Sequence, residues 1–77
     1  MPSEVRFAEV KKLLEQAGFA HVRTAGSHHI FERSGSPLLS IPVHRGKVKP
    51  YYVQKIKRLI AEIETQRQAE ASGEQPP

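Results

Sequence analysis

The chain of 77 residues contains no cysteine, and all its acidic residues are glutamate, so aspartate is missing too. The lack of cysteine excludes disulfides, thiolate metal sites and a cysteine nucleophile. The lack of aspartate excludes an aspartic dyad, an EF-hand loop and a Walker-B metal ligand. The glycine-rich phosphate loops GxGxxG and GxxxxGKS/T are also absent. Most nucleotide-dependent chemistry is therefore excluded.

Long apolar runs are missing as well, because no uninterrupted run exceeds three residues. Nothing in the sequence is therefore long enough to span a bilayer. The first residues carry Glu4, Glu9 and Glu15 and lack the apolar region of a signal peptide. These features predict a soluble, cytoplasmic protein with room for one small domain.

Positive charge is abundant: the net charge is +4 and the sequence pI is near 9.8. No acidic residue lies between Glu32 and Glu62. The basic residues of this window are Arg33, Arg45, Lys47, Lys49, Lys55, Lys57 and Arg58. A segment of one charge sign favours a polyanionic partner such as nucleic acid, because each phosphate contact releases counterions. A solvated helix face explains the same charges, so composition leaves both explanations open.

Two amphipathic helices are predicted. Apolar residues recur at helical spacing over residues 3–17 and again over residues 50–68. For the first helix we expect Ser3 as the N-cap, Glu4 near the positive end of the helix dipole and Gly18 as the C-terminal stop.

Three short strands are predicted between the helices, over residues 19–24, 29–33 and 38–43. Gly26 can supply the positive φ of the turn between the first two strands. Pro42 cannot donate to a strand ladder, so the third strand is expected at an edge. The predicted fold is α+β in the order α-β-β-β-α, with two helices covering one face of a three-stranded antiparallel sheet.

Residues 1–68 are expected to form one domain. Residues 69–77 lack periodicity and end in Pro-Pro, which predicts a disordered C-terminal tail. The α-β-β-β-α order also occurs in double-stranded-RNA-binding domains, which recognise A-form shape through backbone contacts. Fold alone does not establish function.

The segment GSHHIF at residues 26–31 resembles a motif of the HicA family, also called the YcfA-like family. The segment LLEQAGF at residues 13–19 is similar to the end of that family's first helix, and IPVH at residues 41–44 is similar to its third strand. The segment GKVKP at residues 46–50 matches the basic start of its second helix. The resemblance covers about residues 6 to 60.

The resemblance implies a fold like that of double-stranded-RNA-binding domains and the role of a toxin in a type II toxin–antitoxin system. It implies ribosome-independent cleavage of mRNA by one catalytic histidine in the Gly-Ser-His element, which is His28 here. It also implies neutralisation by a HicB-like antitoxin. No metal and no other cofactor is expected.

His28 is thus the expected catalytic residue of a metal-independent endoribonuclease, or mRNA interferase. RNA contains its own nucleophile, the ribose 2′-OH, so the protein must supply proton transfer and stabilise charge on the phosphate. An imidazole suits the proton transfer, because its ordinary pKa of about 6.5 is close to working pH. The sequence leaves open whether His28 acts as base or acid. Without the resemblance, a polar turn residue is the preferred explanation of His28.

Further RNA contacts are expected around His28. Gly26 allows a phosphate to approach the backbone, and Ser27 can orient the site through its hydroxyl or amide. His29 and His44 are also expected to contact RNA, although a structural role for His29 and a loop position without function for His44 remain open. Neighbouring strand residues point to opposite faces, so His28 and His29 are not expected to share one site.

Lys47, Lys49 and Lys55 are the expected contacts to the RNA backbone, helped by the N-terminus of the second helix. For each lysine, a solvated surface position is an equal alternative. Tyr51 and Tyr52 are suited to stacking on bases, although one of the two is expected to pack against the sheet.

The four histidines are potential metal ligands, but their spacing matches no familiar zinc pattern, and no metal site is expected. Two other functions compete with the nuclease. One is a non-catalytic RNA-binding module of the same fold, and the other is a partner-binding protein that docks through its long second helix. Only the Gly-Ser-His element separates the nuclease from the RNA-binding module.

Overall fold

The computed structural model describes residues 4–72, with side chains described for residues 4–70. In chain order the elements are β1 (Val5–Arg6), α1 (Phe7–Gln16), β2 (Ala20–Ala25), β3 (His28–Glu32), β4 (Leu39–Pro42), β5 (Lys47–Val48) and α2 (Pro50–Ser72). Strands β2, β3 and β4 form one antiparallel sheet in that order, which confirms the predicted α+β fold. Strands β1 and β5 form a separate two-stranded ribbon that the sequence did not predict. No helix within residues 4–72 is long and apolar enough to cross a membrane.

Helix α1 begins at Phe7, later than the predicted start at residue 3. The preceding Val5 and Arg6 pair with β5, and Arg6 has the extended conformation φ −62°, ψ 139° without a side-chain cap. Glu4 precedes this strand, so its predicted position near the helix dipole is wrong. The predicted N-cap Ser3 lies outside the described residues.

The C-terminal end of α1 confirms the predicted stop at Gly18, whose φ is +100°. Phe19 N donates to Leu14 O at 2.9 Å, the long hydrogen bond of a Schellman motif. The side chain of Arg33 reaches this end of the helix, where its Nε donates to Ala17 O at 2.9 Å. Arg33 therefore stabilises the fold, because its side chain is hydrogen-bonded to the C-terminal end of α1.

Both helices pack on one face of the sheet. The buried core residues are Val10, Leu14, Ala17, Phe19, Phe31, Ile41, Val48, Val53, Ile56 and Ile63. Leu39 and Val43 also pack against this core, as their alternation with Ile41 predicted. Strand β4 lies at the sheet edge, which confirms the position inferred from Pro42.

Helix α2 runs past its predicted end near residue 68 and reaches Ser72. Residues 69–72 are therefore helical, and their assignment to a disordered tail is wrong. Residues 73–77 of the predicted tail lie outside the described residues. Among the helix side chains described, which end at residue 70, the last buried one is Ile63, so the following turns extend beyond the core.

Candidate functional site

His28 is the first residue of β3 and lies opposite Ala25 on one side and Pro42 on the other. Its side chain is exposed. Within residues 4–72, no side-chain hydrogen bond or ion pair engages the His28 ring. Both ring nitrogens are therefore accessible to a ligand, which proton transfer requires.

The turn before His28 consists of Gly26 and Ser27. Gly26 has φ +62°, whereas Ser27 is not among the residues with positive φ. A glycine with positive φ at the first of two turn positions fits a type II′ hairpin turn. Ser27 O accepts a hydrogen bond from Val43 N at 2.8 Å, which attaches the turn to the segment that follows β4.

A second tight turn follows directly. The backbones of His44 and Lys47 exchange two hydrogen bonds of 2.9 Å, with only Arg45 and Gly46 between them. Arg45 has φ +55° and Gly46 has φ +76°, so both central residues are left-handed, as a type I′ turn requires. Asn-Gly is the usual pair in such a turn. Arginine is unfavourable there because its Cβ crowds the following carbonyl oxygen and its side chain lacks the local hydrogen bonding of asparagine. Gly46 O also accepts a hydrogen bond of 2.8 Å from Phe7 N, which fixes the turn to the start of α1.

Lys47 lies directly opposite Arg6 in the β1–β5 ribbon. Both side chains are exposed, as is that of Arg45. The ion pairs of the described residues are Lys49–Glu4 and Arg67–Glu64, so none of these three cations is paired with a carboxylate there. We call Arg6, Arg45 and Lys47 the basic ribbon.

The other two predicted lysines are placed differently. Lys49 Nζ lies 3.7 Å from Glu4 Oε2, an exposed ion pair that partly neutralises its charge. Lys55 is exposed on α2, where it lines a groove together with Leu39 and Ile41 of β4. Lys55 is therefore at the β4 edge of the sheet and not in the basic ribbon.

His29 faces the helix-covered side of the sheet, opposite to His28. The predicted divergence of the two side chains is therefore confirmed, whereas alternation alone left open which of them faces solvent. It is half-buried, and the centre of its ring lies 4.2 Å from that of Phe7. Its Nδ1 atom is 3.2 Å from His21 Nε2. Burial lowers the pKa of His29 below the usual value of 6.5, and the charges of His21 and Lys11 lower it further. This position favours the structural explanation of His29 over RNA contact.

The two tyrosines divide as expected. Tyr52 packs against the core, whereas Tyr51 is 69% exposed. Tyr51 is thus the tyrosine that can stack on a base.

The profile of one protein family, described as the HicA toxin of bacterial toxin–antitoxin systems, matches residues 7–65. The match spans most of the 77 residues. The chain belongs to the HicA toxin family. This membership makes it the toxin component of a toxin–antitoxin pair. Searches of curated proteins and of solved structures find no match to the chain.

The region shared with HicA toxins contains the Gly26–His28 turn, Arg45 and Lys47, but it begins after Arg6. Sequence reasoning did not assign Arg6 to the site, because only the pairing of β1 with β5 brings it beside Lys47. Arg45 was counted as a basic residue but was not assigned to the site. Its position before Gly46, where Asn-Gly is usual, was the available signal.

Proposed function

We propose that this HicA toxin is a metal-independent endoribonuclease, an mRNA interferase, with His28 as its catalytic residue. The observation that carries the proposal is that the ring of His28 is exposed and has no hydrogen-bond partner among the described side chains. The tight turn before His28 is hydrogen-bonded to Val43, which lies two residues before Arg45 of the basic ribbon. The family membership and the intact Gly-Ser-His element support the same assignment.

The cleavage needs two proton transfers. The ribose 2′-oxygen forms a bond to phosphorus and loses its proton, while the bond from phosphorus to the 5′-oxygen breaks and that oxygen gains a proton. The product is a 2′,3′-cyclic phosphate, and neither a water molecule nor a metal is consumed. We assign one of the two transfers to His28, because an imidazole exchanges protons near neutral pH.

The basic ribbon supplies the phosphate contacts in this proposal. Two cations directly opposite each other, as Arg6 and Lys47 are, destabilise a strand pair. Arg45 adds the cost of a left-handed backbone in a non-glycine residue. Local costs of this kind concentrate at functional sites, and a polyanion that binds here relieves the charge repulsion. Gly26, Ser27, His44 and Lys49 are proposed as further RNA contacts at this end of the molecule.

The partner proposed for the toxin is a HicB-like antitoxin. A gene for such a protein beside the gene for this chain supports the assignment. Co-expression of the two proteins should suppress RNA cleavage by the toxin.

The deciding experiment incubates the purified protein with single-stranded RNA in EDTA, beside the His28→Ala and His29→Gln variants. We expect His28→Ala to reduce cleavage about 10²–10⁴-fold and to leave RNA binding largely intact. His29→Gln is the matched control, because it alters the adjacent histidine on the opposite face. Equal cleavage by the wild type and His28→Ala removes His28 from the mechanism. Salt-sensitive binding without any cleavage identifies a non-catalytic RNA-binding module, whereas binding without salt dependence contradicts phosphate recognition.

A further inference from the structure

Three polar atoms from β2 and β3 converge on the helix-covered face of the sheet. His21 Nε2 lies 3.1 Å from Thr24 Oγ1 and 3.2 Å from His29 Nδ1. Thr24 Oγ1 lies 3.3 Å from His29 Nδ1, which closes a nearly equilateral triangle. We call His21, Thr24 and His29 the histidine–threonine cluster.

A β-bulge in β2 creates this triangle. His21 and Thr24 are three residues apart, so in a regular strand they point to opposite faces. The pairing register shifts between His21 and Arg23, with the result that His21 lies opposite Phe31 and Thr24 lies opposite His29. The bulge therefore turns Thr24 toward the two histidines. Bulges that redirect a side chain are common beside functional sites.

Hydrogen bonding alone accounts poorly for three mutual contacts. Each imidazole nitrogen offers either one proton or one lone pair, and here each of the two nitrogens has two partners. The hydroxyl of Thr24 can accept from one imidazole and donate to the other, which satisfies two of the three contacts. The third contact, 3.2 Å between His21 Nε2 and His29 Nδ1, is then left without a proton of its own. A cation at the centre uses each of the three atoms once.

The dimensions of the triangle fit a zinc-like ion. Zn–N bonds are about 2.0–2.1 Å, so tetrahedral coordination places two ligand atoms about 3.3 Å apart. We propose that the histidine–threonine cluster binds a divalent transition-metal ion of the zinc class through His21 Nε2, His29 Nδ1 and Thr24 Oγ1, with the fourth position open to solvent.

The surroundings of the cluster hold both imidazoles in place. The centre of the Phe31 ring lies 4.9 Å from that of His21, with the two rings stacked. The centre of the Phe7 ring lies 4.2 Å from that of His29. Thr24 is exposed, so an ion can enter from solvent. Burial lowers the pKa of His29, which favours the neutral form that a metal ligand requires. Lys11 on α1 is the charged group that opposes a cation here.

The types of donor atom in the cluster determine how tightly it binds a metal ion. Within residues 4–72, no group of three or more histidine, cysteine or acidic side chains converges on one point, so the third donor is a neutral hydroxyl. Occupancy will therefore depend on how much metal is supplied. A bound ion links β2 to β3 and stabilises a small domain that has no disulfide. The site faces away from His28, so the proposal stands apart from RNA cleavage.

The first test is a titration of chelator-treated wild-type protein with Zn²⁺, followed by NMR of the histidine rings and by thermal unfolding. We expect the ring signals of His21 and His29 to shift before those of His28 and His44. We expect saturating Zn²⁺ to raise Tm by about 4–8 °C. Earlier shifts at His28 or His44, or an unchanged Tm, overturn the proposal.

Variants identify the ligands. His21→Gln and His29→Gln should each abolish the rise in Tm, whereas the matched pair His28→Gln and His44→Gln should retain it. Thr24→Val removes the hydroxyl at nearly constant shape and should raise the zinc concentration needed for half-saturation. An unchanged midpoint in Thr24→Val contradicts the three-donor site. If a histidine variant fails to fold, Lys11→Gln provides a second test, because it keeps all three ligands and removes a nearby positive charge. It should lower the zinc concentration needed for half-saturation. An unchanged or higher concentration counts against the proposal.

Discussion

His28 and His29 are adjacent in β3, but their side chains lie on opposite faces of the sheet. His28 is exposed beside Pro42 at the end of β4, whereas His29 is half-buried against Phe7 of α1. One strand thus presents the same functional group to two different environments. The exposed ring is suited to a substrate, and the half-buried ring contributes to stability and metal binding.

Stability should depend on pH through His29. Its lowered pKa means that the folded protein resists protonation of this ring, whereas the unfolded chain protonates it from about its ordinary value of 6.5 downward. Below that pH the unfolded state binds more protons, so the free energy of unfolding falls as pH falls, until the folded ring is also protonated. Urea denaturation of the wild type and of His29→Gln from pH 7.5 to 5, with chelator present, measures the effect. A wild-type curve that parallels the variant curve contradicts it.

Arg45→Asn should stabilise the protein and weaken RNA binding. Asparagine tolerates the left-handed backbone that Arg45 adopts at φ +55°, so we expect a gain of about 1 kcal/mol in the free energy of unfolding. The loss of one cation should lower RNA affinity at the same time. Lys47→Gln is the control, because it removes a charge of the basic ribbon without relieving the turn. Equal stabilities of Arg45→Asn and the wild type would show that the turn is unstrained.

The basic ribbon should determine the salt dependence of RNA binding. Each phosphate contact to single-stranded RNA contributes about 0.7 to the slope of log affinity against log salt concentration. Arg6→Gln and Lys47→Gln should each reduce the slope by about that amount. Lys49→Gln should reduce it less, since Glu4 already partners Lys49 at 3.7 Å. Arg67→Gln, far along α2, is the control, and a reduction as large in Arg67→Gln as in Lys47→Gln contradicts a localised site.

The Gly26 turn should control the position of His28. Gly26 has φ +62° and no atom within 4 Å of an added Cβ, so Gly26→Ala should cost about 1–2 kcal/mol of stability from backbone strain alone. Gly35→Ala is a matched control, because Gly35 also has a positive φ, of +81°, and open space, but lies at the other end of the sheet. Both variants should lose similar stability, measured by thermal unfolding. Only Gly26→Ala should lose RNA cleavage, and equal cleavage by both variants argues against a role for the turn.

Local patterns in the sequence predicted most of the fold. The stop at Gly18, the turn at Gly26 and the edge position of Pro42 each follow from the backbone preference of one residue. The β1–β5 ribbon could not be predicted in this way, because Val5 and Arg6 continue a helical pattern and their partners Lys47 and Val48 are far along the chain. Similarly, the last turns of α2 lack apolar periodicity and form from residues of good intrinsic helix propensity, such as Ala69 and Glu70.

The candidate site was only partly accessible from the sequence. Strand alternation separated His28 from His29 but gave no indication of which one faces solvent, and the family motif decided that point. His21 and His29 were grouped only as two of four histidines whose spacing matched no zinc pattern, and Thr24 was not connected to them. Their convergence depends on the bulge after His21, an irregularity of strand pairing that has no signature in the residues themselves.

The two ends of the described part of the chain offer different places to attach a label or a surface linker. Glu4 forms an ion pair with Lys49, the residue just after β5, so a label attached at Glu4 will crowd the basic ribbon. At the other end, α2 continues for nine residues beyond Ile63, a distance of about 13 Å at the rise of an α-helix. A fluorophore or immobilisation handle attached at Glu70 is therefore held away from the folded core, and binding measurements on this protein should use that position.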